Sequence, residues 1–235
     1  MRMQTKRILA IALSGALLTG IGLTGAQAAD RYINVSATGS VKVTPDTVRI
    51  NASVSFVGTT SSVAQSTSAA TASAIRAALK SNGVDAQYIK SQNLTIYPEY
   101  NYTTDKGSVL IGYRASQSFE IIVRNAKNAG TVVDAIVAAG ADKLNLDGVT
   151  PYVFDNTTAT NAARTDAITR AKAKAAHYAK LLGVKLSSVT SLDETTSPSP
   201  YPIMMATAKM DSGATQIDLG QQDVSVSVAV KWAIK

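Results

Sequence analysis

The chain carries few side chains suited to chemistry, and their spacing limits what they can do. Its single histidine, His177, lies beside Tyr178, between Lys174 and Lys180. A histidine base needs a nucleophile and an orienting carboxylate within hydrogen-bond reach. The local sequence supplies neither, so His177 reads as a surface or packed helical residue. The acids Asp46, Glu99, Glu120, Asp134, Asp142, Asp147, Asp155, Asp166, Asp193 and Glu194 are scattered. None forms a recognisable acid–base motif, and only a glycosidase-like pair that meets in space stays open. Cysteine is absent, which excludes disulfides, thiol catalysis, Cys-ligated zinc and iron–sulfur clusters. Beyond residue 28 the glycines form neither G-x-G-x-x-G nor G-x-x-x-x-G-K-[ST]. Asp105-Lys106-Gly107 is a turn, not a calcium loop. The expectation is no catalytic residue, no cofactor, no metal, and a protein that is not an enzyme.

Two groups of residues suit contact instead. Tyr97, Tyr100, Tyr102 and Tyr113 cluster on one predicted hairpin. Tyrosine offers area with a polar tip, so they read either as an interface or as cross-strand pairs on an exposed sheet face. Pro198, Tyr201, Met204 and Met205 lie in a segment with three prolines and three methionines, and methionine suits adaptable contacts. A disordered loop is the alternative for that segment. Five N-x-[ST] sequons, at Asn34, Asn51, Asn93, Asn101 and Asn156, fall partly within strands and read as chance.

The first residues set the compartment. Arg2, Lys6 and Arg7 precede an apolar run from Ile8 to Leu23, and Ala26-Gln27-Ala28 closes it. That is the pattern of a secretory signal peptide cut after Ala28. The run is shorter than the roughly 20 residues a spanning helix needs. No later stretch is apolar enough to cross a bilayer as a helix. Removing 28 of the 235 residues leaves 207, enough for one sizeable domain. The formal net charge of +7, less those three cations, leaves +4. No Lys/Arg cluster stands out, so nucleic acid is not an expected partner. A cysteine-free secreted domain must rely on its core or on association with copies of itself.

The elements that would position these residues alternate in character. Val48, Ile50, Ala52, Val54 and Phe56 alternate with polar residues, a half-buried strand. A helix is expected over 59–81, capped by Thr60 or Ser61. Its stripe is Val63, Thr67, Ala70, Ala74 and Ala78 with Ile75 and Leu79, and Gly83 suits its left-handed end. Residues 94–123 read as a long hairpin, with Pro98 marking an edge. A second helix is expected over 126–138, with Val132, Val133, Ile136 and Val137 inward. A third spans 157–182, ending at Gly183. On it Ala159, Ala163, Ala167, Ala171 and Ala175 form a ridge for close packing, and Asp166, Arg170 and Lys174 form a polar line. A short strand at 189–192 precedes an irregular segment, 195–222. Val224, Val226, Val228, Val230, Trp232 and Ile234 close the chain as a strand. The order is β-β-α-β-β-α-β-α-β-β, which implies an α+β fold with three helices on largely antiparallel sheet. One domain over 29–235 is expected, and a division into two subdomains stays open.

Several segments together resemble the SIMPL-domain family, the bacterial periplasmic immunogenic-protein group. They are Gly39-Ser40-Val41-Lys42-Val43-Thr44-Pro45-Asp46, Tyr97-Pro98-Glu99-Tyr100, Gly112-Tyr113-Arg114-Ala115-Ser116 and Ala139-Gly140-Ala141. Ala167 to Ala175 with Lys172 and Lys174, Leu182-Gly183-Val184 and the final valine strand complete the set. The resemblance implies a soluble periplasmic protein of α+β fold that associates with itself, in at least one member as a large ring- or channel-like homo-oligomer. It also implies a link to oxidative or envelope stress and to immune recognition. No catalytic residues are established for the family. The partners expected are therefore copies of this chain and envelope components. The alternative is a binding module for a glycan or envelope peptide that uses the tyrosine hairpin.

Overall fold

The computed structural model describes residues 31–105, 107–197 and 215–235. The signal peptide expected over 1–28 lies outside the described residues. So do Pro198, Tyr201, Met204 and Met205. Residues from Tyr32 to Lys235 form one compact unit.

The fold is α+β, with three helices and two antiparallel sheets in the expected order. The strands are β1 (Tyr32–Val43), β2 (Thr47–Gly58), β3 (Ile89–Thr103), β4 (Gly107–Val123), β5 (Leu144–Tyr152), β6 (Leu186–Ser197) and β7 (Gln222–Ile234). The helices are α1 (Ser61–Ser81), α2 (Ala129–Gly140) and α3 (Thr157–Leu182). A four-stranded sheet runs β3-β4-β2-β5, and a three-stranded sheet runs β1-β7-β6. Each sheet buries one face against its own helices. Val48, Ile50 and Val54 of β2 and Phe119, Ile121 and Val123 of β4 meet Ile75 and Leu79 of α1 and Val132, Val133 and Ile136 of α2. Ile33 and Val35 of β1 and Val226, Val228, Val230 and Trp232 of β7 meet the alanines of α3. The period-2 readings of β2, β4 and β7 thus hold.

The helix ends follow local chemistry. Thr60 caps α1, its hydroxyl accepting the Val63 N–H at 3.2 Å. Gly83 and Gly183 both sit in the left-handed region, with φ of 77° and 65°. After each, a valine N–H reaches back into the last turn, Val84 to Leu79 O and Val184 to Ala179 O, both at 3.0 Å.

Four details differ from the sequence expectation. The buried stripe of α1 is Ala64, Ser68, Ala72, Ile75 and Leu79, and Val63, Ala70 and Ala74 face outward. The helix starts at Ser61, two residues later than the sequence suggests, and small residues serve the close approach: a Cβ on Gly58 would lie 2.6 Å from Ala64 N. α2 begins at Ala129, after a single 3₁₀ turn over Ala126–Asn128, and its Val137 is exposed. β6 extends over Leu186–Ser197 because β7 offers a long partner, Leu186↔Ile234 to Ser197↔Ser225. The first three residues of the segment expected to be irregular, 195–197, are therefore strand. Its described return, 215–221, lies on α2: the Thr215 N–H donates to Asp134 Oδ2 at 3.1 Å, and Ile217 and Leu219 pack on the larger core.

Candidate functional site

The tyrosine hairpin is longer than the sheet that carries it. β3 and β4 pair from Ile89↔Ile121 to Thr103↔Gly107. β2 pairs with β4 only from Val48↔Val123 to Gly58↔Tyr113. Residues 99–112 therefore continue as a two-stranded arm past the end of the four-stranded sheet. Gly112 marks the root, where a Cβ would come 2.5 Å from Gly58 O. Any side chain at that position would push the arm off β2. Just beyond, Glu99↔Gly112 is followed by Tyr100↔Leu110, so Ile111 is an extra residue and the ribbon carries a bulge.

Arg114 fixes the root from the other side. Its Nε donates to Glu99 Oε2 at 2.8 Å, its Nη2 to Glu99 Oε1 at 2.9 Å, and its Nη1 to Ser55 Oγ at 3.0 Å. One planar guanidinium thus ties β3 to β2 across β4, the geometry that suits arginine over lysine. The Arg114 hydrogen bonds hold the Glu99 carboxyl below the ordinary carboxylate range, with a smaller opposing effect of desolvation.

The arm beyond this bracket exposes large apolar side chains. Tyr102 is 78% exposed, Ile111 55% and Leu110 48%, with Tyr100 and Val109 also exposed. A two-stranded ribbon is marginal in water without a third strand or a helix to cover a face. The structure brings Tyr100 and Tyr102 onto one face, two residues apart on β3. Alternation puts Tyr97, paired with Arg114, on the opposite face. Tyr113 is half-buried and lies across from Pro98 at the root. Pro98 sits on β3, an edge strand, as its lack of an N–H predicts. By the same alternation Tyr113 shares the face of Tyr100 and Tyr102, and Tyr97 alone of the four lies on the other. The sequence reading missed Val109, Leu110 and Ile111, although three consecutive large aliphatics in a strand with no second covered face were a visible signal.

Chemistry converges nowhere else among the described residues. No group of three or more His, Asp or Glu residues there is placed to hold a metal ion. His177 is exposed on α3. A groove of about 380 Å³ runs beside the end of α1, lined by Arg76, Lys80, Val84, Asp85, Ala86 and Ile89. Its Arg76 already lies over the Phe119 ring at 5.0 Å and donates to Ser91 Oγ at 3.2 Å. No described helix is long and apolar enough to cross a membrane.

Among the described residues, this is a two-sheet α+β protein with a projecting apolar ribbon. Residues 33–232 match the SIMPL family, described as a protein of unknown function (DUF541), and the chain belongs to that family. It is 31% identical to the 26 kDa periplasmic immunogenic protein of Brucella melitensis, over 86% of this chain and 84% of that protein. It is 30% identical to the uncharacterized protein YggE of Edwardsiella ictaluri, over 83% of this chain and 85% of that one. The YggE of Escherichia coli K12 is 28% identical, over 81% and 79%. None of these names is that of an enzyme. A solved protein of Galdieria sulphuraria, titled as unknown, aligns over 80% of this chain and 84% of its own with 9% identity and a TM-score of 0.26.

Proposed function

We propose that this protein is a periplasmic, non-enzymatic SIMPL protein that associates with copies of itself, and that the arm at 99–112 makes the subunit contact. The observation that carries this reading is the arm itself. It places Tyr100, Tyr102, Val109, Leu110 and Ile111 in water on a ribbon that no other described element covers. Contiguous exposed apolar area of this kind marks interaction sites, and a second copy would supply the missing layer. The periplasmic location is supported by the signal-peptide pattern at 1–28 and by the name of the Brucella relative. The segment at 195–222 is proposed as a further contact. Any role in oxidative or envelope stress would then act through assembly, because the chain has no cysteine for thiol chemistry. Binding of a glycan or envelope peptide draws on the same arm, with Tyr97 on the face opposite Tyr100 and Tyr102.

The test is the solution mass of residues 29–235 by light scattering behind size exclusion. A discrete oligomer is expected. Replacing Tyr100, Tyr102, Leu110 and Ile111 together by Ser should reduce it to monomer with an unchanged far-UV spectrum. An unaltered mass would remove the arm from the interface. A monomeric wild type would end the assembly reading and direct attention to a ligand. Deleting 198–214 should also shrink the assembly, and an unchanged mass there would limit the contact to the arm.

A further inference from the structure

We propose that the charged line Asp166–Arg170–Lys174 of α3 closes the free edge of β1 against strand addition by a second copy of this chain. An edge strand presents a row of unpaired backbone N–H and C=O groups, and folded proteins block such edges with prolines, bulges or charges. The two described sheets have four edges. β3 carries Pro98 and two register breaks. β5 carries Pro151 and a register break opposite Asn51/Ala52. β6 has two register breaks against β7. β1 has neither proline nor break: its twelve residues pair one to one with β7, from Tyr32↔Ala233 to Val43↔Gln222. It is the most regular open edge and the one whose own sequence defends it least.

The defence comes from the helix lying over it. Ser40 N–H donates to Asp166 Oδ2 at 3.3 Å, and Lys174 Nζ donates to Ser36 O at 3.2 Å. The Ser40 N–H is thereby turned away from β7, and Ser36, four residues along the same strand, shares that orientation. Each charge meets the backbone group it can satisfy, since a carboxylate only accepts and an ammonium only donates. The spacing fits as well. Eight residues of helix rise about 12 Å, and four residues of strand advance about 13 Å. Arg170 stands between them and holds Asp166, its Nε 2.9 and 2.8 Å from the two carboxylate oxygens. Gly39 makes this reach short. A Cβ there would sit 2.2 Å from Ala163 O and 2.3 Å from Ala167 N, so the helix lies almost on the strand backbone.

The experiment follows thioflavin-T-positive, sedimentable aggregate formed by residues 29–235, with far-UV spectra and urea midpoints recorded for each variant. Asp166→Ala with Lys174→Ala should keep the fold and shorten the lag by about tenfold, as an unguarded edge recruits other chains. Asp166→Glu with Lys174→Arg should keep the wild-type lag. Thr38→Pro added to the double alanine variant should restore it, because the Thr38 N–H shares the outward orientation and a proline there blocks the edge without removing a β1–β7 backbone bond; only the Thr38 hydroxyl contact to Ser227 Oγ, at 2.9 Å, is given up. Arg164→Ala, on the same helix, breaks an exposed ion pair to Glu194 of β6, 2.7 Å in length, and should leave the lag unchanged. A wild-type lag in the double alanine variant overturns the proposal. So does equal shortening by Arg164→Ala, or failure of Thr38→Pro to rescue. If the double variant loses its far-UV spectrum, Lys174→Ala alone takes its place, with the same expected direction.

Discussion

The two sheets are covered by helices at different ranges. Over the four-stranded sheet, both partners bring volume: Phe119, Ile50 and Ile121 from the strands, and Ile75, Leu79, Val132 and Ile136 from α1 and α2. Over the three-stranded sheet, the strands bring Ile33, Val35, Val226, Val228, Val230 and Trp232, while α3 brings Ala163, Ala167, Ala171, Ala175 and Ala179. In the first layer these larger side chains fill the space between sheet and helices, except where the start of α1 approaches Gly58. In the second the helix supplies room, and its backbone approaches Gly39 directly. Packing density has to be near that of an organic crystal in both. The two layers reach it from opposite directions, so they should respond oppositely to a change of side-chain size.

The largest effect is expected from removing volume in the first layer. Phe119 is 1% exposed and central to its core. Phe119→Ala should cost about 3–5 kcal/mol, the transfer term plus the cavity left behind. It also removes the ring under Arg76. Urea unfolding of residues 29–235 measures this, and a loss under about 1 kcal/mol would mean that the layer collapses freely around the gap.

Adding volume should break the second layer. Ala171 is fully buried against the sheet. Ala171→Leu should cost about 1–3 kcal/mol by forcing the helix away from β1 and β7. The same change at an exposed alanine of the helix, Ala173, should stay within about 0.5 kcal/mol. If Ala171→Leu is neutral, α3 is not held at close range, and the bonds from Asp166 and Lys174 to the β1 backbone would lose their geometric basis.

That contrast also explains what could be read from the residues alone. The alanine ridge of α3 was legible because identical small residues recur at i+4 in a helix otherwise rich in charge, and all of them are buried. The strands β2, β4 and β7 were legible because one face is apolar and the other polar. The α1 stripe was legible at Ile75 and Leu79, which are buried, and misplaced in the N-terminal half. Its N-terminal half packs through Ala64, Ser68 and Ala72, which differ little in hydropathy from the exposed Ala70 and Ala74. Composition there carries no phase, and the approach to Gly58 sets it. The arm was half legible. Its tyrosines stood out, but its projection depends on where β2 stops, at Gly58↔Tyr113, which is a pairing between distant segments. The Arg114–Glu99–Ser55 bracket needs the same register and left no local signal. Pairing of β1 with β7, the two ends of the fold, was equally non-local.

A smaller effect, of opposite sign, tests the boundary between the two packing modes within α1. Ser68 lies in the close-packed half and is 1% exposed, and its hydroxyl has no hydrogen-bond partner. Ser68→Ala keeps the small volume and removes a polar group that burial strips of water. Stabilisation of about 1 kcal/mol is expected from urea midpoints, helped by the higher helix propensity of alanine. A loss of stability would show that the hydroxyl is paired in solution and that this stretch is wetter than its neighbours.

The weakest expected effect separates the layers by acid. The Arg170 hydrogen bonds and the Ser40 N–H lower the Asp166 pKa, and the Arg164 hydrogen bonds lower that of Glu194. These two carboxylates hold α3 to opposite flanks of the three-stranded sheet. In the other layer Arg114 lowers Glu99, and Thr215 lowers Asp134. A carboxyl lowered by folding binds fewer protons in the native state than in the unfolded one. It therefore contributes stability above its unfolded pKa of about 4, and that contribution is lost as pH falls through the folded value. All four groups are solvated, so each effect is small. Asp166→Asn and Glu194→Gln should lower the urea midpoint at neutral pH and flatten its decline below about pH 4. Their curves should converge with the wild type in strong acid. Glu99→Gln should do the same with an added loss of order at the arm root, visible as faster amide exchange in residues 99–112. Variant curves that stay parallel to the wild type down to strong acid would mean that these pairs exist equally in the unfolded chain or do not persist in solution. The flanks of α3 would then owe their position to the alanine ridge alone.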